Sequence, residues 1–227
     1  MYNITCFYFT SKSMKIIRYE DKYFYYFRKP CGIPSTFGDQ KCFLDYLIES
    51  DDQDIQAIIL AQKEFFSQQD EYGLVNRLDN DTTWLLYMAK APLFKCKYKQ
   101  AQAGWKIKKY YIADVYWKFE NKTQKISYPI THHKYSKDRM VVFLNTKQTG
   151  KIDQKKLKDV ETDVKLLYYD PEKNISTLWV QISKWMRHQI RAHLSSIWFP
   201  IVGEKIYIKK PSTENLHLYS IGVEFDI

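Results

Sequence analysis

Between two apolar runs, the stretch "LVNRLDNDTTWLLYMAK" (74–90) sets the carboxylate of Asp79 two residues from the guanidinium of Arg77, just ahead of the apolar segment Leu85 to Ala89. A carboxylate at such a handover from loop to strand has two readings. It serves the turn, since Asp and Asn favour loops by bonding their own backbone, and Asn80 and Asp81 beside it suit that use. Alternatively, it is a reactive group presented next to a cation. Arg187 and Arg191, four residues apart, fall in a segment with helical spacing, and Tyr111 lies in an alternating strand segment. Taken singly, the arginines suit a solvated helix face and the tyrosine suits a core.

Other chemistries find little support. His132 and His133 are adjacent, and His188 and His193 are five apart, off the i, i+4 spacing that puts two ligands on one helical face. The four cysteines, Cys6, Cys31, Cys42 and Cys96, form no CxxC pair and no regular framework, which fits reduced thiols in a cytoplasm and no metal site. There is no glycine-rich phosphate loop, no GxSxG and no pair of catalytic carboxylates, so hydrolase and nucleotide-binding readings lose their footing. The charge balance does point somewhere: 35 basic residues against 26 acidic ones give a net charge of +9, which suits a polyanion such as nucleic acid. Biased base composition accounts for part of the lysine excess. No apolar run reaches the roughly 18 residues of a membrane span, and the opening residues do not read as a secretory leader. Met14 is an alternative start.

The elements that must position these groups follow from periodicity. "IIRYEDKYFYYFRKPCGIPS" reads as two aromatic strands around a charged turn, closed by a Pro-Cys-Gly-Ile-Pro bend. Residues 42–48 and 54–67 have amphipathic helical spacing. The strand 85–89 runs to Pro92, which opens the helix "LFKCKYKQAQA". "KIKKYYIADVYW" alternates so that Tyr111, Ala113 and Val115 share a face. A basic, irregular stretch covers 118–138, a strand covers 139–145, and a hairpin joins 162–169 to 175–183 through "DPEKN". The last helix is expected over 186–197, with Ile190, Leu194 and Ile197 on its apolar stripe and Arg187 and Arg191 on another face. With no repeat, linker or composition shift, the pattern implies one α+β domain with an extended, mainly antiparallel mixed sheet flanked by helices and loops.

The order of the segments is more specific than any one of them. "NRLDNDTTWLLYMAK", then "KKYYIADV", then "KWMRHQIRAHLSSIWFPIVGEKIY" resembles the three signature segments of the RluA-type pseudouridine synthases. These are His-Arg-Leu-Asp followed by Thr-Ser-Gly, a Lys-x-Tyr-x-Ala-x-Val strand, and Gly-Arg-x-His-Gln-Ile-Arg leading to Pro-Ile-x-Gly-Asp. The Lys-Pro-Cys-Gly turn is similar to the family's Lys-Pro-x-Gly. The resemblance runs from about Ile16 to Phe225, leaves residues 1–15 as a short N-terminal extension to a catalytic domain over 16–227, and includes no S4 RNA-binding domain ahead of it.

By this resemblance Asp79 is the catalytic aspartate. Arg191 is the arginine that pairs with it, Tyr111 the tyrosine beneath the target base, and Arg77 the arginine that helps extrude that base. Leu78 walls the pocket, and Lys109, Arg187 and His188 join Arg77 as RNA-binding residues. The implied activity is conversion of uridine to pseudouridine in structured tRNA or rRNA, in a cytoplasmic monomer, without metal or other cofactor. An ionised carboxylate serves such chemistry as a nucleophile at ribose or base.

Departures from the pattern leave a second outcome open: a catalytically impaired RNA-binding protein or RNA chaperone on the same fold. The family's histidine is Asn76, a polar exchange expected to keep a local hydrogen bond. The family's arginine after Trp185 is Met186, which weakens phosphate contact or pocket order, and the C-terminus falls a little short of the usual closing strand. Trp84, Trp117, Trp185 and Trp198 stand where the family has glycine, in a chain whose 7 glycines are under half the usual share of about 7%. Ordinary divergence, with corners rebuilt around large side chains, is one explanation. The other is that these codons are UGA, read as glycine in the source and rendered as tryptophan here. Trp105 and Trp179 align with no clear family glycine.

Overall fold

The computed structural model describes residues 16, 18–144, 152 and 156–226; the N-terminal extension and residue 145 of the expected strand 139–145 lie outside these. Asp21 turns the chain between β1 (Arg18–Glu20) and β2 (Phe24–Lys29) by accepting from the backbone N–H groups of Tyr23 and Phe24, both at 2.7 Å. After β2 come α1 (Phe43–Ile48) and α2 (Gln53–Phe65), the latter capped by Asp52, whose side chain accepts from the backbone of Asp54 and Ile55. Then follow β3 (Thr83–Ala89) and α3 (Pro92–Ala103), which has Pro92 at its first position.

The second half holds β4 (Lys108–Tyr116), β5 (Thr123–Ile126), β6 (Ile130–His132), β7 (Met140–Val142), the hairpin β8 (Thr162–Asp170) and β9 (Ile175–Ile182), α4 (Gln189–Ser196) and β10 (Leu218–Glu224). Eight strands form one sheet in the order β1-β2-β3-β10-β4-β9-β8-β5, antiparallel throughout except where β10 runs parallel to β3. β6 and β7 make a separate two-stranded ribbon.

Strand alternation explains the two-sided core. Leu86 and Met88 of β3 join Phe27, Leu44, Ile58, Val180 and Leu194, from β2, α1, α2, β9 and α4, in one cluster. Tyr87 and Ala89 point the other way and pack with Phe24 and with Tyr98 and Ala101 of α3. Tyr111, Ala113 and Val115 are all buried, as their spacing implies.

The sequence-derived boundaries need three corrections. The stretch 118–138 is not wholly irregular, because it contributes β5 to the sheet edge and β6 to the ribbon. The final helix begins at Gln189, not at 186, because His188 takes a left-handed backbone (φ 54°) that breaks the helical run. The strand expected over 139–145 is only the short β7 (Met140–Val142) of the ribbon, and the last strand, β10, is inserted in the middle of the main sheet between β3 and β4. Its flanks are distant in sequence, so no local pattern marks its neighbours.

Backbone geometry singles out the tryptophans. Trp84, Trp105, Trp117 and Trp198 have φ of 80°, 56°, 72° and 71°, in the region that favours glycine. An L-residue held there costs about 1–2 kcal/mol. Trp185 is not among the positive-φ residues, whereas Trp105, unassigned from sequence, is.

α4 is bound to the sheet through a neutral imidazole. His193 is fully buried, its Nδ1 2.8 Å from Thr162 Oγ1 and its Nε2 2.8 Å from the Tyr128 carbonyl oxygen. The carbonyl can only accept, so Nε2 carries the proton and Nδ1 accepts from the threonine hydroxyl. Burial pushes the His193 pKa down to about 4. An unfolded imidazole titrates near 6.5, so between the two values the unfolded state binds more protons and stability falls as pH falls. By pH 4 this loss is of the order of 3 kcal/mol. His193→Gln, which cannot titrate, should flatten the urea-midpoint profile between pH 6.5 and 4 relative to the parent chain.

Candidate active site

All eight residues singled out from sequence line one cavity of about 130 Å³: Arg77, Leu78 and Asp79 from the loop before β3, Lys109 and Tyr111 from β4, Arg187 and His188 from the turn that leads into α4, and Arg191 from α4 itself. The loop is fixed from several directions. Asn76 accepts from the backbone N–H of Tyr87 at 2.7 Å and donates to the Leu85 carbonyl oxygen at 3.2 Å, so the polar exchange does keep local hydrogen bonds. Ser35 Oγ accepts from the Leu78 N–H and donates to the Leu78 carbonyl oxygen, at 3.0 and 2.9 Å. Lys29, fully buried, donates to the carbonyl oxygens of Pro30, Ile33 and Asn80 at 2.8, 2.7 and 2.8 Å, and the Gly32 N–H also reaches Asn80. The Lys-Pro-Cys-Gly turn is therefore the floor on which the Asp79 loop rests.

Asp79 retains 27% side-chain exposure, enough for a ligand to reach it. Its carboxylate lies 3.9 Å from His188 Nε2. On the other side of that ring, Nδ1 is 3.1 Å from the Tyr207 hydroxyl. Burial is the leading cause that lowers the His188 pKa, so the ring tends to be neutral, and Tyr207 donating to Nδ1 leaves Nε2–H turned toward Asp79. Tyr207 itself is pushed up to about 12, chiefly by burial, and stays protonated to make that bond.

Arg191 departs from the expected pairing. Its guanidinium is buried and binds Glu204 in a fork, Nε to Oε2 at 2.9 Å and Nη2 to Oε1 at 2.7 Å, while Asp79 acts on it through the field and not through a hydrogen bond. The physical reason is that Glu204, fully buried, needs a cation more than the half-open Asp79 does. Three backbone N–H groups, of Lys205, Ile206 and Tyr207, also point at Glu204. Gly203 makes the approach possible: its φ is 83°, and a Cβ there would stand 2.0 Å from the Asn215 carbonyl oxygen. The sequence alone assigns Glu204 and Tyr207 no role; the signal it carries is an acidic residue directly after a glycine in the third motif.

Arg187 and Arg191 do not share a helix face, because Arg187 lies before α4 begins. Arg187 is exposed and donates to the Lys137 carbonyl oxygen at 2.7 Å, with Asp138 3.6 Å away. Arg77 is exposed at the rim, with no ion pair among the described residues. Tyr111 is buried beneath the cavity, and burial pushes its pKa up, so the phenol stays protonated and serves as a surface rather than an anion. Lys109 Nζ lies 3.7 Å from the centroid of the Trp185 ring, and no described carboxylate lies within ion-pair distance of it. Burial lowers its pKa to about 8. Among the described residues no cluster of three or more His, Cys, Asp or Glu is arranged to hold a metal, and no helix is long and apolar enough to cross a membrane.

The profile of the RNA pseudouridylate synthase family matches residues 23–196, which contain Asp79, Tyr111 and Arg191. The chain belongs to this family. An uncharacterized RNA pseudouridine synthase of Mycoplasma genitalium is 25% identical over 194 residues, covering 84% of this chain and 54% of that protein. Another uncharacterized RNA pseudouridine synthase, of Helicobacter pylori, is 32% identical over 162 residues, covering 68% and 61%. Ribosomal large subunit pseudouridine synthase D of Nitrosomonas europaea is 30% identical over 141 residues, covering 62% and 37%. The chain thus spans between about a third and two thirds of the length of these relatives. Human RNA pseudouridylate synthase domain containing 1 shares the fold, with a TM-score of 0.71 at 15% identity over 92% of this chain and 78% of that one. The α+β architecture with its extended mixed sheet is that of pseudouridine synthase domains.

Two outcomes test this geometry. Lys29→Met removes three charge-assisted bonds and leaves buried carbonyls unsatisfied, so the urea midpoint should fall by the equivalent of about 3 kcal/mol or more. Lys109 loses its charge as pH rises through about 8. If it contacts a phosphate, RNA affinity should weaken between pH 7 and 9, with the slope of log affinity against log salt shrinking by about 0.7–0.9. Lys109→Gln should show that shallower slope already at pH 7.

Proposed function

We propose that this chain isomerises uridine to pseudouridine in structured RNA, with Asp79 as the nucleophile. The observation that carries the reading is a solvent-reachable carboxylate in one cavity with Arg77, Lys109, Arg187 and the buried Tyr111. Arg77, Lys109 and Arg187 meet the phosphate backbone, which supplies most of the affinity and makes it salt-dependent. The target uridine leaves its stack at a cost of a few kcal/mol, and Arg77 fills the space it vacates. Tyr111 receives the uracil ring on its face, and Leu78 walls the pocket.

Asp79 attacks the sugar or the base and the bond from C1′ to N1 breaks. The uracil turns within the pocket, C5 bonds to C1′ as the carboxylate leaves, and the proton on C5 is lost while N1 gains one. Atoms balance with no co-reactant. Burial raises the Tyr111 pKa and favours the neutral phenol, which suits stacking on the uracil. His188, bonded to Tyr207 on one side, has its other ring nitrogen 3.9 Å from the carboxylate, and the Arg191–Glu204 pair fixes α4 beside the loop that carries it. Relatives named for the ribosomal large subunit make rRNA the first substrate to examine, with tRNA second.

Release of tritium from C5-labelled uridine in unmodified rRNA and tRNA is the test. The expected result is release by the parent chain and none from Asp79→Ala, a loss of at least 10³-fold if the carboxylate is the nucleophile. RNA binding that persists with salt dependence, but without release from any folded version, would replace this reading with that of a non-catalytic RNA-binding protein.

A further inference from the structure

We infer that positions 84, 105, 117 and 198 are glycine in the native protein, encoded by UGA codons that the cell reads as glycine. The inference stands on backbone geometry and is independent of the proposed activity. Four of the chain's six tryptophans have left-handed φ, in a region where non-glycine residues are uncommon and those that occur are chiefly Asn, Asp and His.

The positions are the ones where glycine is required by the local fold. α3 ends with the Trp105 N–H on the Gln102 carbonyl oxygen at 3.1 Å and the Lys106 N–H on Ala101 at 2.9 Å. α4 ends in the same way, with Trp198 N–H on Ser195 at 3.2 Å and Phe199 N–H on Leu194 at 2.9 Å. Both are Schellman ends, and in each the tryptophan occupies the left-handed position after the cap, which is usually glycine. Trp117 turns the chain out of β4 with its N–H 2.7 Å from the Asn174 carbonyl oxygen. Trp84 takes φ 80° inside β3, where its neighbours Lys29 and Ser220 hold it from both sides.

Packing offsets the strain in part only at Trp84, whose ring lies 5.3 Å from Tyr219 with the Arg28 guanidinium 5.5 Å away. Trp105, Trp117 and Trp198 are 49%, 47% and 81% exposed, the first two with a single ring contact each, to Trp185 and Tyr116, so strained positions leave much of the largest apolar side chain in water. Trp179 is the internal control, a regular β9 residue whose ring lies 5.3 Å from Tyr110 across the strand pair. Trp185 has no left-handed backbone and is not included.

The experiment reads the four codons and the mass of the matching peptides from the cells that make the protein. UGA at 84, 105, 117 and 198 with glycine masses, and UGG at 179, is the expected result. UGG at the four positions, or tryptophan in the native peptides, overturns the inference. A physical arm uses recombinant chains: all four tryptophans replaced by glycine should raise the urea midpoint, whereas Trp179→Gly should lower it. An unchanged or lowered midpoint in the fourfold variant would remove the conformational basis.

Discussion

The buried ammonium of Lys29 ties together segments that the sequence keeps apart. Its three donors reach carbonyls on both sides of the Pro30–Pro34 bend and across to Asn80, next to Asp79. Burial draws its pKa down to about 8, so the tie operates with a charged lysine at neutral pH despite complete removal from solvent. An ammonium so placed is tolerated because each of its protons meets an oxygen. The strand β2, the turn after it and the loop before β3 therefore behave as one rigid corner, and the carboxylate at its tip has a defined position relative to β4 and α4.

Charge is then partitioned by burial. Arg191 and Glu204, both removed from water, satisfy one another and act mainly as scaffold. The cations left for a polyanion are the ones at the rim, where Arg77 and Arg187 are exposed and Lys109 is half-buried against Trp185. Asp79 shares one cavity with all three. Exposed cations at the rim of a pocket raise the local concentration of a polyanion by long-range attraction, and that is the sense in which this arrangement suits the proposed RNA substrate.

The tryptophans show how far local backbone geometry decides residue type. Helix ends at 105 and 198 close with hydrogen-bond patterns that fit a left-handed residue, whatever side chain is written there. The fold is thus compatible with the sequence around these corners and in conflict with it at the corners themselves.

Much of this protein was legible in the sequence because the relevant signals are local. Alternation in "KKYYIADV" buries Tyr111, Ala113 and Val115, Pro92 opens α3, and the polar loop 76–82 presents Asp79 before an apolar strand, all as the residue pattern implies. Motif order brought eight residues to one cavity. What the sequence by itself left undetermined is pairing between distant groups: β10 between β3 and β4, Lys29 under Asn80, and Glu204 in place of Asp79 as the partner of Arg191. Local propensity acts over a few residues, whereas these choices are made by desolvation once the chain has folded. A buried charge takes the nearest opposite group that is equally deprived of water, and only the tertiary structure says which one that is.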